Sequence, residues 1–366
     1  MQPAKPDTVK GLTMRLLILG TGGMARHHAE HFAAIPGVSL VAGVDTNAEN
    51  LAKFCQDHKI EHQFTSLQAA LDWGQFDAVT NVTPDKVHYA TTMACIAAGK
   101  HVMCEKPLAT NFAHANEMAD AAEAAGLVNM VNLTYRNVSA LQKAREMVQA
   151  GAIGAVKHVE ASYLQSWLTQ PAWGDWKTES QWLWRLSSAH GSLGVLGDVG
   201  IHILDSASFA AGSDVSDIFC RLKTFHKAPG DKIGEYELDA NDSFAASIAL
   251  DGGAVGVVHA SRFASGHMNE LRLRLYGDKG GIEVTNIGDL GTLRASLGDD
   301  MLTATWQDIE LSPVEMNYDK FFKAVADGTQ AEPNFRRAAN LQKVLDQAVV
   351  SDAQHQDLPT GTGPTD

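Results

Sequence analysis

Cysteine is scarce in this chain: Cys55, Cys95, Cys104 and Cys220 are the four in 366 residues, and none is in CxxC spacing. That pattern implies buried thiols in a reducing, cytoplasmic compartment rather than a disulfide framework. Long hydrophobic runs are also missing. Charge or glycine interrupts every apolar stretch within about ten residues, well short of the ~20 that span a bilayer, so no transmembrane helix is expected. Residues 1–13 have no apolar h-region, which argues against a secretory signal; they read as a disordered extension, with Met14 a candidate second start. Positive charge is in short supply as well. With 29 Lys and Arg against 43 Asp and Glu, the net charge is −14 and the pI is near 5.5, and neither nucleic acid nor an anionic membrane is expected as a partner. No internal repeat or low-complexity segment is present.

What the chain does have is the composition of an ordinary soluble protein, 45% hydrophobic and 20% charged. Its length exceeds what one core usually supports, so two domains are expected. Residues 15–19 form a solid apolar run ending in glycine, followed by helical spacing over 24–35 and a second strand pattern over 38–44. Helices at 47–58, 66–72, 86–98 and 111–125 alternate with strands at 78–82, 101–104 and 127–132. This alternation predicts a doubly wound parallel sheet, a Rossmann domain over 14–135. After helix 139–150, segments 155–165, 215–226, 240–250, 253–262 and 270–277 alternate apolar and polar residues. They predict an α+β domain over 136–352 with a large, open, mostly antiparallel sheet, its C-terminal helix free to pack back on the first domain. An apolar outer face on that sheet would be covered by pairing into a homo-oligomer, a dimer or tetramer. Residues 353–366 read as a mobile tail.

Gly20-Thr21-Gly22-Gly23-Met24-Ala25 is G-x-G-x-x-A at a strand-to-helix turn. The first glycine permits the turn, the second lets backbone approach a pyrophosphate, and the small sixth residue packs helix on strand. Asp45 ends the second strand where an acidic side chain accepts from ribose hydroxyls. That carboxylate would repel a 2′-phosphate and no Arg follows in Thr46-Asn47, so NAD is favoured over NADP; Arg26 is the nearest opposing cation.

Val82-Thr83-Pro84, His88, Ala97-Ala98-Gly99-Lys100-His101-Val102 and above all Glu105-Lys106-Pro107-Leu108 resemble the signature of the Gfo/Idh/MocA oxidoreductases. Gly151-Ala152-Ile153-Gly154, Trp184-Arg185-Leu186, Gly197-Asp198-Val199-Gly200-Ile201-His202-Ile203-Leu204-Asp205 and a C-terminal Gln342–Asp346 extend the likeness over almost the whole chain. The resemblance implies that Lys106 lies between nicotinamide and substrate and that Asp198 and His202 supply the acid/base group. It further implies cofactor contacts at Thr83, Pro84, His88, Glu105, Trp184 and Arg185. Chemistry agrees: oxidising an alcohol needs a base for the hydroxyl proton, histidine titrates near neutrality, and an ammonium polarises the reacting oxygen.

Other positions admit competing readings. Asp198 could equally cap a helix, and Asp205 is read as structural. His202 with Asp205 has metal-like spacing but no evident third ligand, so no metal is expected. Tyr163, Trp176 and Arg185 lie in or beside a stretch holding five of the seven tryptophans, suited either to stacking on sugar rings or to pinning a long loop. Asn132 and Arg136 follow the last strand of the first domain and could line the nicotinamide or substrate side. The leading reading is an NAD-dependent dehydrogenase of a cyclic polyol or monosaccharide. The alternatives are an NAD-retaining, redox-neutral glycosidase or epimerase, and a non-catalytic NAD-sensing regulator.

Overall fold

The computed structural model describes residues 13–171, 173–288 and 290–354. The chain divides into two compact units, residues 1–139 with 312–342 and residues 140–311 with 343–366. The first unit alternates strand and helix: β1 (Met14–Leu19), α1 (Gly23–Ala34), β2 (Val38–Val44), α2 (Ala48–His58), β3 (His62–Phe64), α3 (Leu67–Trp73), β4 (Ala78–Asn81), α4 (His88–Ala97), β5 (His101–Cys104), α5 (Phe112–Ala124) and β6 (Asn129–Val131). Its six strands are all parallel in the order β3-β2-β1-β4-β5-β6. β1 is central, and its Leu16, Leu17 and Ile18 are fully buried because helices cover both faces. Polar caps start the helices: Asn47 accepts from the N–H groups of Glu49 and Asn50, Ser66 from Ala69, and Asn111 from His114.

The second unit opens with α6 (Ser139–Gln149) and continues through β7 (Val156–Gln165), α7 (Ser180–Leu183), α8 (Ile201–Ala211), β8 (Val215–Lys223), β9 (Lys232–Ile233), β10 (Tyr236–Glu237), β11 (Ser243–Leu250), β12 (Val255–Ser261), β13 (Asn269–Gly277), β14 (Gly280–Thr285), β15 (Thr292–Leu297), α9 (Asp300–Thr303) and β16 (Gln307–Asp308). Eight strands form one sheet in the order β16-β15-β14-β13-β7-β12-β11-β8, antiparallel except for the parallel pair β7 and β12. One face buries Val159, Ala161, Val258, Ala260, Leu273 and Phe244, and the apolar helix α8 packs on it. The other face is open, with Phe219, Val255 and Val257 exposed beside a ladder in which Arg274 pairs with Glu160 and Glu283, and Glu283 with Arg294.

Two helices follow, α10 (Asn317–Asp327) and α11 (Phe335–Gln354). The expected boundary at 135 falls at 139, and 312–342 belongs to the first unit rather than the second. Packing explains the return: Tyr318, Phe321 and Phe322 of α10 complete the core of the parallel-sheet unit, with Phe321 stacked edge-on against Phe32. α11 also runs two residues into the segment read as a tail; residues 355–366 and 1–12 lie outside the described residues. No helix among the described residues is long and apolar enough to cross a membrane.

Phe321 is fully buried, so Phe321→Ala is expected to destabilise the protein by about 3–5 kcal/mol in chemical denaturation. A loss near zero would remove α10 from the core.

Candidate active site

In a sheet ordered 3-2-1-4-5-6 ligands bind beyond the carboxyl ends of the strands, where the order reverses between β1 and β4. The glycine motif lies at that point. Gly20 has φ +91°, and a Cβ there would sit 2.8 Å from the Val82 carbonyl oxygen, so only glycine lets the turn pass the end of β4. At Gly22 and Gly23 a Cβ would meet nothing within 4 Å, and Gly22 begins α1 without a side-chain cap. The exposed helix terminus therefore offers uncapped N–H groups and open space, the cradle a pyrophosphate needs. Asp45 backs this turn, its Oδ2 accepting from the Thr21 N–H at 2.8 Å and hydroxyl at 2.7 Å, its Oδ1 from the Asn47 N–H at 2.8 Å. Burial would raise its pKa, but these donors hold it below the ordinary value. The half-buried carboxylate keeps acceptor capacity for ribose hydroxyls. These residues fit a dinucleotide.

Beyond β4, Asn81 Oδ1 accepts from both the N–H and the hydroxyl of Thr83, which fixes the Thr83-Pro84 turn. His88 is fully buried, with Nδ1 2.8 Å from the Pro107 carbonyl oxygen and Nε2 2.7 Å from that of Thr83. Two carbonyl acceptors require protons on both ring nitrogens. Burial opposes the charge, but Cys104 and the Pro107 carbonyl outweigh it and push the imidazole up to about 10. His88 is thus a cationic brace between the turns after β4 and β5, and both its nitrogens are already committed.

Lys106 follows β5 and is half-buried, and its N–H donates to Glu105 Oε2 at 3.1 Å. Beneath it the Glu105 carboxylate is buried, its Oε1 accepting from His28 Nε2 and Asn132 Nδ2, each at 2.8 Å. His28 Nδ1 is 2.7 Å from the Thr80 hydroxyl, and Asn132 Nδ2 also donates to the Tyr318 hydroxyl at 3.1 Å. Burial alone would raise the Glu105 pKa, yet His28, Asn132 and the Lys106 charge bring it down to about 2.

In the second unit residues 196–200 form a π turn that leads directly into α8. Asp198 sits inside that turn, so it does not cap the helix. Its Oδ2 accepts from Arg262 Nη2 at 3.1 Å, and its Oδ1 lies 3.8 Å from Arg185 Nη1. The carboxylate keeps 26% of its side-chain exposure. His202, on the first turn of α8, is buried, and so is Asp205. The Arg185 guanidinium lies over the Trp184 ring at 4.6 Å and the Trp182 ring at 5.8 Å.

Two descriptions of one family match this chain in sequence. Residues 14–133 match an oxidoreductase family described as an NAD-binding Rossmann fold, and residues 141–283 match the GFO/IDH/MocA C-terminal domain. The chain belongs to the Gfo/Idh/MocA oxidoreductase family. It is an NAD-dependent dehydrogenase, with the first unit as its NAD-binding domain. Levoglucosan dehydrogenase of Pseudarthrobacter phenanthrenivorans is 26% identical over 380 residues, covering 92% of this chain and 95% of its own. Myo-inositol 2-dehydrogenase of Thermotoga maritima is 27% identical, covering 75% and 76%. A solved structure of levoglucosan dehydrogenase in complex with NADH has a TM-score of 0.83 and 25% identity, covering 93% of this chain and 97% of that one.

Several of the residues expected at the site are buried in the fold. His88 and Asn132 are buried, with the His88 ring nitrogens and the Asn132 amide bonded within the protein. Arg136 is buried in a short 3₁₀ turn. Tyr163 points inward from β7 at 3% exposure, on the face covered by α8. Trp176, at 7%, donates its ring N–H to the Leu168 carbonyl and belongs to an apolar cluster with Trp167, Leu183 and Leu238, so it pins the loop. The sequence reading missed His28, Tyr318 and Arg262. Strand parity held a clue to the last: Val258 and Ala260 face inward, and Arg262 continues that parity with a charge.

Because the Glu105 pKa in the folded state, about 2, is below its ordinary 4.5, its contribution to stability is present above pH 4.5 and is lost as pH falls toward 2. Glu105→Gln is expected to be less stable at pH 7 and to lose less over that acid window, as read by urea unfolding at a series of pH values. Identical pH slopes would contradict this role.

Proposed function

We propose that this dehydrogenase oxidises a ring hydroxyl of a cyclic polyol or monosaccharide. The observation that carries the reading is the Asp198 carboxylate, partly exposed, fixed by a buried arginine and bordered by Arg185 stacked on Trp184. Carboxylates and guanidinium groups pair with vicinal hydroxyls, and aromatic faces suit the C–H patches of sugar rings. When bound, NAD supplies the hydride acceptor. Gly22, Gly23 and the α1 terminus would hold its pyrophosphate, and Asp45 its ribose hydroxyls.

Matched to the family's motifs, His202 takes the proton of the reacting hydroxyl as general base. Lys106 presents its ammonium to the same oxygen, orienting the substrate and stabilising the charge that develops as the proton leaves. Asp198 accepts a hydrogen bond from the substrate and assists His202. Levoglucosan and myo-inositol, named for two relatives, belong to the substrate class this chemistry favours. The four cysteines are buried free thiols, which supports the cytoplasm as the compartment.

The test is NADH formation from a panel of cyclitols, anhydrosugars and D- and L-aldoses, where release of free NADH also separates this reading from a redox-neutral reaction. With the best substrate, Lys106→Ala and His202→Ala are each expected to keep NAD affinity while kcat drops by about 100-fold or more. Near-wild-type turnover in either variant would contradict its assignment.

The open face of the eight-stranded sheet further supports a homo-oligomer. Phe219 at 54%, Val255 at 55% and Val257 at 44% exposure are an apolar patch of the kind that pairing covers. Val257→Asp is expected to lower the mass measured by light scattering at micromolar concentration. A monomeric wild type would overturn the assembly.

A further inference from the structure

Arg262, the residue after β12, is fully buried, which is rare for an arginine unless its charge is met. Its Nη2 donates to Asp198 Oδ2 at 3.1 Å and its Nη1 to the Arg185 carbonyl oxygen at 3.0 Å, while the guanidinium lies 5.0 Å over the Trp167 ring. A single planar group therefore ties the π turn bearing Asp198 to the turn bearing Trp184 and Arg185. The other nearby carboxylate, Asp242, also favours the Arg262 charge but is bonded elsewhere, its Oδ2 accepting from Lys227 Nζ at 2.6 Å and from the Phe225 N–H at 2.8 Å. The Arg185 pair with Asp198 differs in kind. At 3.8 Å, with an Arg185 side chain 32% exposed, it is long and screened by water, so it fixes little by itself.

We infer that Arg262 is a positioning residue, which holds the Asp198 carboxylate and the Arg185 backbone in the one arrangement that receives the hydroxyls of the substrate. Being fully buried, it acts through Asp198 and touches no ligand. The inference rests on the sugar-dehydrogenase reading above. A lysine at 262 would keep the charge but not the two-pronged geometry.

The experiment compares wild type, Arg262→Lys, Arg262→Met, Asp198→Asn and the double variant Asp198→Asn/Arg262→Met. Steady-state kinetics use the best substrate of the panel, and NAD affinity is measured by fluorescence titration. Arg262→Met is expected to lose about 100-fold in kcat/KM for the sugar, with kcat falling as well as KM rising, as a displaced contact group does. Arg262→Lys is expected to recover part of that loss. NAD affinity should stay within about twofold, and the double variant should lose far less than the product of the two single losses, because Asp198→Asn has already weakened the bond to Asp198 and leaves the second change only the tie to the Arg185 carbonyl to remove. A merely structural arginine would give losses that multiply in the double variant and no rescue by lysine, and that result overturns the inference. Arg262→Met leaves Asp198 without its partner and so can impair folding. In that case the lysine variant and the double variant, which removes both charges, make the comparison. A wild type that reduces NAD with no sugar overturns the functional reading and this inference together. An active wild type with multiplying losses overturns the inference alone.

Discussion

The first unit depends on one buried hydrogen bond, between His28 Nε2 and the Glu105 carboxylate at 2.8 Å. A carboxylate taken out of water is stable only where its lone pairs are met, and leaving a buried acceptor without its donor costs about 1–3 kcal/mol, more for a charged one. Here the partners come from far apart in sequence: His28 from α1, Asn132 from just past β6, and Tyr318 from α10 through the Asn132 amide. The pair therefore registers the cofactor helix against the turn that carries Lys106. It also accounts for the chain's return to this unit after residue 311, since α10 supplies both the aromatic core and the last member of the polar network.

His88 extends the same principle one strand over. The turns that carry Thr83 and Lys106 have no regular structure of their own, and loops of that kind hold their shape only where backbone carbonyls find donors. An imidazolium bonded to a carbonyl in each turn meets that need at a single buried point. In the second unit Arg262 has the corresponding place, joining the π turn to the 184–186 turn. In both units the exposed functional group is held by a buried charge contributed from a distant segment.

That arrangement explains what the sequence made legible. The parallel sheet, the alternation in the second sheet, the glycine turn and the motif residues Lys106, Asp198 and His202 are written locally, as apolar periodicity or short signatures. The supports are not. Helical spacing puts His28, and not His27, on the buried stripe of Ala25, Ala29 and Phe32, but only the fold brings that ring to Glu105. α10 was missed because its role is set by the core it joins. For Asn132, Tyr163 and Trp176 the sequence placed the residue near the site, but only packing shows that each is buried. The π turn at 196–200 is not visible in the sequence, because Leu196–Gly200 runs straight into the helical pattern of α8.

The division between supports and exposed groups also bears on where substrate choice resides. Changing Glu105, His88 or Arg262 would leave a buried charge or carbonyl unmet, so these positions have little freedom to vary. The 166–194 segment is different. Its inward tryptophans anchor it at Trp167 and Trp176, while Trp184 and Arg185 keep partial exposure and meet the protein mainly through ring and guanidinium faces. Stacked faces tolerate substitution in a way that buried charges do not. A side-chain change at those exposed faces therefore leaves in place the buried bond from Arg262 that fixes Asp198.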